Sequence, residues 1–309
     1  MSVSVLGIDT SNYTTSLSVC EDGEIKENVK LPLTVKKGGV GLRQSDAVFL
    51  HTLNLPKAFD MLKYDLKSIS AAGYSDRPRD AEGSYMPCFL CGQSAAVIIS
   101  DTLGIPLYKN SHQQGHIKAA VYSSRMPEYE RFYAYHLSGG TLELLYVTFD
   151  GISYGCEIAG KTLDVTAGQM IDRIGVMLGL SFPCGAALED LAKENTEKLP
   201  DINVSVNGTD CNLSGLQNKA QQLIKNGASP SYTAAYTLEF IKKTIDKMTE
   251  NLYKKEKLPL LFSGGVSSNG ILKKYFSDKY DAYFAEPVYS ADNAAGTALL
   301  TYQRFVYGK

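Results

Sequence analysis

Two of the four histidines in this chain lie four residues apart, at His112 and His116. Ser111, directly before them, is a favourable N-cap residue, so we expect a helix to begin at this point. Side chains four residues apart on a helix lie one above the other on the same face. Two imidazoles placed in this way can reach one metal ion, so the question is which other side chains converge on them.

Three further polar residues are candidates, although each also has an ordinary structural explanation. Asp292 begins the last predicted helix, where a carboxylate compensates the helix dipole. Asp172 lies in the middle of a predicted helix and is equally well explained as a solvated carboxylate. His136 ends a predicted strand, where a lone histidine is more often structural than a ligand. The residues alone leave these alternatives open.

Small residues form two tight turns, at 138–141 and 263–265, and each turn follows a predicted strand. Backbone amides in such turns bind phosphate oxygens, and the start of the helix after Gly265 favours an anion. Glycine is also the default residue of any tight turn, so simple packing explains each turn as well. Cys88 and Cys91 lack the second Cys-x-x-Cys pair that a zinc ribbon needs, and we interpret them as buried, reduced thiols.

A strand–turn–strand–turn–strand pattern spans residues 2–29 and recurs at residues 132–159. Such a duplication suggests two related α/β lobes that face a cleft. We place the first lobe at residues 1–125 and the second at 126–309, with the last helix returning to the cleft. A chain of 309 residues is long enough for two lobes with cores of their own.

Composition and charge are those of an ordinary soluble globular protein, with 44% hydrophobic and 21% charged residues. No apolar run is long enough to span a membrane, and the N-terminus resembles a buried strand instead of a signal peptide. We therefore expect a cytoplasmic protein with no membrane partner. A formal net charge of −2 and a pI near 6.1 disfavour broad, autonomous binding of nucleic acid. A local basic patch, or a partner that delivers nucleic acid, stays compatible with them.

The order and spacing of nine short motifs resemble one family over nearly the whole chain. This is the TsaD family, also called Gcp or O-sialoglycoprotein endopeptidase, which has the actin-like ATPase (ASKHA) fold. The matching stretches lie at residues 7–11, 38–51, 112–116, 137–141, 162–172, 178–185, 214–216, 264–269 and 292–295. The resemblance implies a two-lobed α/β fold with duplicated strand units and a central cleft.

The resemblance also assigns a metal site to this chain. His112, His116 and Asp292 match the family's metal ligands. His136 stands next to them, at a position where some members carry a tyrosine ligand. We therefore predict a site of three histidines and one carboxylate, a donor set that suits Fe²⁺ or Zn²⁺ better than Mg²⁺ alone.

The resemblance further implies contacts to ATP, AMP or an acyl-adenylate from residues of the second lobe, and it identifies no catalytic acid or base. The residues that match these contacts, with the glycine turn before Asn269, are Leu137, Ser138, Gly139, Gly140, Thr141, Asp172, Gly185, Gly264, Gly265 and Asn269.

The implied activity is transfer of a threonylcarbamoyl group from its adenylate to an adenine of tRNA, with TsaB-like or TsaE-like partner proteins. Three departures indicate a divergent paralogue. Residues 12–15 lack the family's acidic pair, a charged stretch at 74–87 replaces a Gly-Pro-Gly loop, and Cys184 replaces a glycine.

These departures leave two alternatives open. One is a carbamoyltransferase that acts on a small molecule or a protein, and the other is a non-catalytic, nucleotide-binding partner subunit of a TsaD-type complex. The older peptidase assignment has little support, because residues 113–115 between the histidines contain no general base.

Overall fold

The structure is a computed structural model, and it describes residues 2–11, 13–34, 42–291 and 293–308. The chain divides into two compact units. The first contains Met1–Ser123, Thr148–Cys156 and Val288–Lys309, and the second contains Ser124–Val147 and Glu157–Pro287. The C-terminal helix thus packs within the first unit, whereas the sequence analysis assigned it to residues 126–309.

A five-stranded sheet with the order β3-β2-β1-β4-β5 forms the centre of the first unit. Its antiparallel strands are β1 (Ser4–Ser11), β2 (Thr14–Glu21) and β3 (Glu24–Pro32), and its parallel additions are β4 (Ile69–Arg77) and β5 (Leu107–Ser111). The helices of this unit are α1 (Gln44–Met61), α2 (Phe89–Leu103), α3 (His112–Ser124), α9 (Pro287–Ser290) and α10 (Ala295–Tyr307), with a 3₁₀ turn at Leu66–Ser68.

Alternation along β1 explains why helices cover both faces of this sheet. Leu6 and Ile8 pack with apolar residues of α1 and α2. Val5, on the opposite face, packs with Ala298 and Leu299 of α10. Side chains alternate between faces in a strand, so a run that is apolar on both faces is buried on both.

The second unit is built on a sheet with the order β12-β11-β6-β7-β8. Its strands are β6 (Arg131–Leu137), β7 (Leu142–Phe149), β8 (Tyr154–Lys161), β11 (Leu260–Ser263) and β12 (Ala282–Phe284), and a separate hairpin contains β9 (Ser205–Asn207) and β10 (Asp210–Asn212). The helices are α4 (Ala167–Met177), α5 (Gly185–Lys193), α6 (Ser214–Lys225), α7 (Pro230–Tyr253) and α8 (Gly270–Lys279), with a 3₁₀ turn at Gly265–Ser268.

The strand orders of the two sheets match when one is read in reverse, β3-β2-β1-β4-β5 against β8-β7-β6-β11-β12. The predicted duplication of strand units is therefore confirmed. The spacing of Ile241, Ile245, Met248 and Leu252 predicts a core-facing stripe along α7, and all four are buried.

Strand β4 extends further than the sequence indicates. Its charged composition predicts a loop over residues 74–87, which is wrong for residues 74–77, because the strand continues to Arg77. Ser75 and Arg77 pair with β5, so tertiary pairing outweighs the polar composition of this stretch. Across the described residues, no helix combines the length and apolarity needed to cross a membrane.

Candidate functional site

A capping box fixes the start of α3, where the two histidines lie. The Ser111 hydroxyl accepts a hydrogen bond from the Gln114 backbone N–H at 3.3 Å, and the Gln114 side chain accepts one from the Ser111 N–H at 3.3 Å. This reciprocal pair satisfies two backbone donors that the first helical turn leaves unpaired. It places His112 at the first helical position and His116 one turn later.

The two imidazoles point at each other. The Nε2 atoms of His112 and His116 lie 2.8 Å apart, and the ring planes cross at 82°. Two nitrogen atoms at this separation can both lie within about 2.1 Å of one ion, the usual length of a zinc–nitrogen bond. The spacing of four residues thus produces the convergence that the sequence predicted.

A buried carboxylate contacts the His112 ring. Asp9, at the end of β1, is 1% exposed, and its Oδ2 atom lies 2.8 Å from His112 Nδ1. The Ser75 hydroxyl also donates to Oδ2, and the Ser11 N–H donates to Oδ1 at 2.9 Å. The histidine therefore has one ring nitrogen on a carboxylate and the other toward His116.

Helix α10 packs closely against α3 between the two histidines. A Cβ atom on Gly296 would lie 2.5 Å from the carbonyl carbon of Gly115, so α10 has no room for a side chain at this position. Asp292 precedes α10 in the sequence but lies outside the described residues, and its predicted role as a ligand stays a prediction.

The described residues contain no group of three or more His, Cys, Asp and Glu side chains arranged to hold a metal ion. His136 belongs to the second unit, where its Nδ1 atom lies 3.1 Å from the Ser263 hydroxyl oxygen. Of the predicted metal site, the described residues therefore show the pair of imidazoles in the first unit, and the site with three histidines and one carboxylate stays a prediction.

The charged stretch after β4 is tied to the start of α3. The Pro78 carbonyl accepts a hydrogen bond from the Gln113 N–H at 3.0 Å. The Gln114 amide donates to the Tyr154 carbonyl at 2.8 Å and approaches Asp80 at 3.5 Å. The segment that departs from the family pattern thus contacts the helix that carries the histidines.

In the second unit, the turn after β6 is closed by its own serine. The Ser138 N–H donates to the Thr141 carbonyl at 2.8 Å, and the Ser138 hydroxyl accepts from the Thr141 N–H at 3.0 Å. The start of α4 packs on this turn, because the Thr166 hydroxyl donates to the Gly139 carbonyl at 2.9 Å. A Cβ atom on Gly168 would lie 2.7 Å from the Gly139 Cα, so this packing requires glycine.

The glycine turn after β11 approaches the same region. Gly264 has φ of +91°, a conformation that favours glycine. A Cβ atom there would lie 2.6 Å from the Leu137 carbonyl carbon. Gly265 begins the following 3₁₀ turn, and Asn269 then caps α8, where its Oδ1 accepts hydrogen bonds from the Ile271 and Leu272 amides at 3.1 Å each.

These turns surround a cavity of about 390 Å³ within the second unit. Such a volume falls in the range of small-molecule sites. Five of the residues predicted to contact a nucleotide line it, namely Gly139, Asp172, Gly185, Gly265 and Asn269. The other five support it from the adjoining turns and do not line it, namely Leu137, Ser138, Gly140, Thr141 and Gly264.

Asp172 lines the cavity, and one of its carboxylate oxygens is held by the backbone. Its Oδ1 atom accepts the Cys184 N–H at 2.8 Å, while Oδ2 accepts no hydrogen bond from the described residues. The Cys184 side chain is fully buried, and burial raises the pKa of its thiol. A Cβ atom on Gly175 would lie 2.7 Å from the Cys184 Sγ. Cys184 therefore packs against α4, next to the cavity.

Sequence reasoning missed Glu189, which also lines the cavity. Its Oε1 atom accepts the Gly270 N–H at 3.1 Å and lies 2.9 Å from Lys193 Nζ. Its position four residues after Gly185 on α5 is the signal that points to it.

Asp9 was missed as a neighbour of His112, because no local spacing relates the two. Burial raises the pKa of the Cys88 thiol to about 12 and also raises that of Cys91, which favours the neutral thiol at both positions.

The fold of this chain is that of the actin-like ATPases, as predicted. Component A of (R)-2-hydroxyglutaryl-CoA dehydratase from Acidaminococcus fermentans superposes with a TM-score of 0.57 at 14% identity, over 98% of each chain. HypF from T. kodakarensis gives a TM-score of 0.60 at 13% identity, over 98% of this chain and 47% of HypF.

Within this fold class the chain belongs to the TsaD family, described as tRNA N6-adenosine threonylcarbamoyltransferase, whose sequence profile matches residues 54–299. A relative of that name from Dehalococcoides mccartyi is 30% identical over an alignment of 322 positions, which covers 99% of this chain and 94% of the relative. A relative of the same name from Thermus thermophilus is 30% identical over 320 residues, with 98% and 94% covered. The family predicted from the motifs is therefore confirmed.

Proposed function

We propose that this protein transfers a threonylcarbamoyl group from its adenylate to the N6 amine of an adenine in tRNA, with one divalent metal ion at the site. Membership of the TsaD family supports the reaction class. One structural observation carries the proposal: five residues that match the family's adenylate contacts line one cavity. A lone glycine turn is a weak signal, but two such turns and a carboxylate around one cavity are a specific arrangement.

The cavity suits the adenylate donor. Gly139 and Gly265 present no side chain, so a ligand can lie against the backbone there. Ile171 and Val266 supply apolar surface for a base, and the Oδ2 atom of Asp172 is an acceptor for a ribose hydroxyl. Holding the donor in one orientation removes much of the entropic barrier to transfer.

In the proposed step, the adenine N6 forms a bond to the carbamoyl carbon and loses one proton. The bond from that carbon to the phosphate oxygen breaks, and AMP leaves with the electron pair. The donor's AMP portion stays fixed in the cavity while the reacting carbon is presented to the acceptor. No described residue is assigned as the acid or base.

The proposed metal ion is Fe²⁺ or Zn²⁺, with His112 and His116 as two of its ligands. Their converging Nε2 atoms support this part of the proposal, since nitrogen donors suit both ions. Asp292 is the proposed carboxylate ligand and His136 the proposed third imidazole. When bound, the ion supplies a Lewis acid that polarises the carbamoyl or carboxylate oxygens of the donor.

We infer that tRNA reaches this protein through partner subunits of the TsaB or TsaE type. A net charge of −2 disfavours a broad cationic surface for phosphates. Exposed apolar side chains on α1 and α2, such as Phe49 at 63% and Ile98 at 65%, suit a protein partner. A tRNA substrate would place the complex in the cytoplasm.

Nucleoside analysis of tRNA from a strain whose only TsaD-family gene encodes this chain tests the reaction. We expect threonylcarbamoyladenosine, and its absence would contradict the tRNA reaction. Purified protein, alone and with partner subunits, should turn over threonylcarbamoyl-adenylate faster than carbamoyl-adenylate. The reverse preference would favour the carbamoyltransferase alternative, and no turnover of either donor would favour the non-catalytic one.

Metal analysis of protein purified without chelators tests the histidine pair. We expect His112→Ala to lose bound metal and Gln113→Ala to retain it, because Gln113 lies on the same helix and contacts the Pro78 carbonyl through its backbone N–H, which an alanine keeps. Equal metal contents in wild type and His112→Ala would refute the site.

A further inference from the structure

The carboxylate of Asp9 has no role in the reaction proposed above, although it is buried and aimed at a proposed ligand. It is 1% exposed, and its Oδ2 atom lies 2.8 Å from His112 Nδ1. Its contacts to Ser11 and Ser75 hold it at the end of β1. Burying a carboxylate is unfavourable unless donors surround it, so the local structure is arranged around this charge.

The direction of each hydrogen bond follows from the chemistry of the partners. The Ser11 N–H and the Ser75 hydroxyl both donate to the carboxyl oxygens of Asp9, which favours the ionised carboxylate. An ionised carboxylate only accepts, so the Nδ1 atom of His112 then carries a proton and donates it to Asp9. In a neutral imidazole the other nitrogen then has a lone pair. That lone pair is on Nε2, the atom that lies 2.8 Å from His116 Nε2.

We propose that Asp9 is a positioning residue that holds His112 as the Nδ1–H tautomer and so presents its Nε2 lone pair for metal binding. The metal part rests on the proposed function, whereas the tautomer part does not. Outer carboxylates that hold a ligand histidine in this way typically contribute 10- to 100-fold in metal affinity. We expect a loss of about that size when Asp9 no longer accepts from the ring.

A purely structural role for Asp9 makes a different prediction. The carboxylate also joins β1 to β4 through Ser75, so its loss could simply loosen the sheet. Asp9→Asn separates the two roles, because an asparagine keeps the size and one acceptor oxygen. Its amide nitrogen, when it faces His112, donates to Nδ1 and favours the Nε2–H tautomer, which turns the lone pair away from His116. Ser75→Ala removes the link to β4 and leaves the contact to His112.

Nitrogen-15 NMR of the metal-free protein measures the tautomer directly, because the chain has only four histidines and His112→Gln identifies the relevant signals. We expect His112 to be Nδ1–H in wild type, in Ser75→Ala and in Glu24→Gln. Glu24→Gln is the charge-matched control, because it exchanges a carboxylate for an amide as Asp9→Asn does. The Glu24 carboxylate accepts from the Tyr122 hydroxyl instead of from His112. In Asp9→Asn we expect the Nε2–H form to appear.

Competition with a chromogenic chelator for Zn²⁺ gives the second measurement, with urea unfolding as the test of folding. We expect zinc affinity to fall 10- to 100-fold in Asp9→Asn and to change less than about threefold in the two controls. A wild-type His112 in the Nε2–H form would overturn the proposal even if Asp9→Asn fails to fold. Wild-type zinc affinity in a folded Asp9→Asn would overturn it too. A wild type that binds no zinc but shows the Asp9-dependent tautomer would refute the proposed metal site and leave the orientation of His112 standing.

Discussion

Gly296→Ala tests the close packing of α10 on α3. A Cβ atom at this position would lie 2.5 Å from the Gly115 carbonyl carbon and 2.9 Å from the Gly115 Cα. The Gly115 carbonyl oxygen would lie closer still. Carbon atoms in ordinary contact lie about 3.5–4.0 Å apart, so the two helices must separate by more than about 1 Å. The obstacle is backbone, and no change of side-chain rotamer relieves it.

Two losses follow from this displacement. Forcing an extra methyl group into a packed core costs about 1–3 kcal/mol of unfolding free energy. A shift of about 1 Å in groups that position reactants lowers turnover roughly 100-fold. Because Gly115 lies between His112 and His116 on one helix turn, we expect zinc affinity to fall together with turnover.

Urea unfolding, zinc competition and donor turnover check this prediction together. Gly215→Ala on α6 is the matched control, because a Cβ atom there meets nothing within 4 Å. We expect the control to unfold within about 1 kcal/mol of wild type and to keep its zinc affinity. A Gly296→Ala protein with wild-type stability, zinc affinity and turnover would refute the packing argument.

Three other predictions concern the cavity, its glycine turn and a buried histidine. Asp172→Asn should weaken AMP binding about 10- to 100-fold, since a hydrogen bond to a charged group contributes about 1.5–3 kcal/mol. Calorimetry measures the Kd for AMP, and an unchanged Kd would contradict the proposed contact between Asp172 and the ribose. Gly264→Ala should lower the unfolding free energy by at least about 2 kcal/mol, because it strains a φ of +91°, and Gly265→Ala, whose Cβ meets nothing within 4 Å, is its control. Burial lowers the pKa of His51 from its usual 6.5, so the folded chain resists a proton that the unfolded chain accepts. The contribution of neutral His51 to the free energy of unfolding should therefore be complete above about pH 6.5 and fall by at most about 1.4 kcal/mol per pH unit below it. Between pH 7.5 and 5.5, the unfolding free energy of His51→Gln, measured in urea, should fall less than that of wild type.

Local spacing predicted the features that depend on local geometry. The four-residue interval between His112 and His116 needed only the helical repeat, and Ser111 supplied the cap. The duplicated strand units also followed from the sequence, because turn residues mark the ends of short strands. The sequence also predicts a helix from Val165, and α4 begins two residues later at Ala167, where a capping box at Thr166 fixes its start.

Contacts between distant parts of the chain could not be predicted in this way. Asp9 and His112 meet because β1, β4 and β5 lie side by side and α3 begins where β5 ends. The order of strands in a sheet is a tertiary property that no local pattern contains. For the same reason the sequence did not predict that β4 continues to Arg77. Pairing with β5 stabilises the end of this strand despite the polar residues there.

Two of the three departures from the family pattern, Cys184 and the stretch after β4, affect different parts of the chain. Cys184 replaces a glycine, yet its N–H still donates to Asp172 and its side chain is buried beneath the cavity. The donor side of the proposed reaction is thus left intact by that change. The stretch after β4 instead contacts α3, through the Pro78 carbonyl and the approach of Asp80 to Gln114. If the proposed function holds, this chain should share the donor class of its relatives and differ from them first at the acceptor.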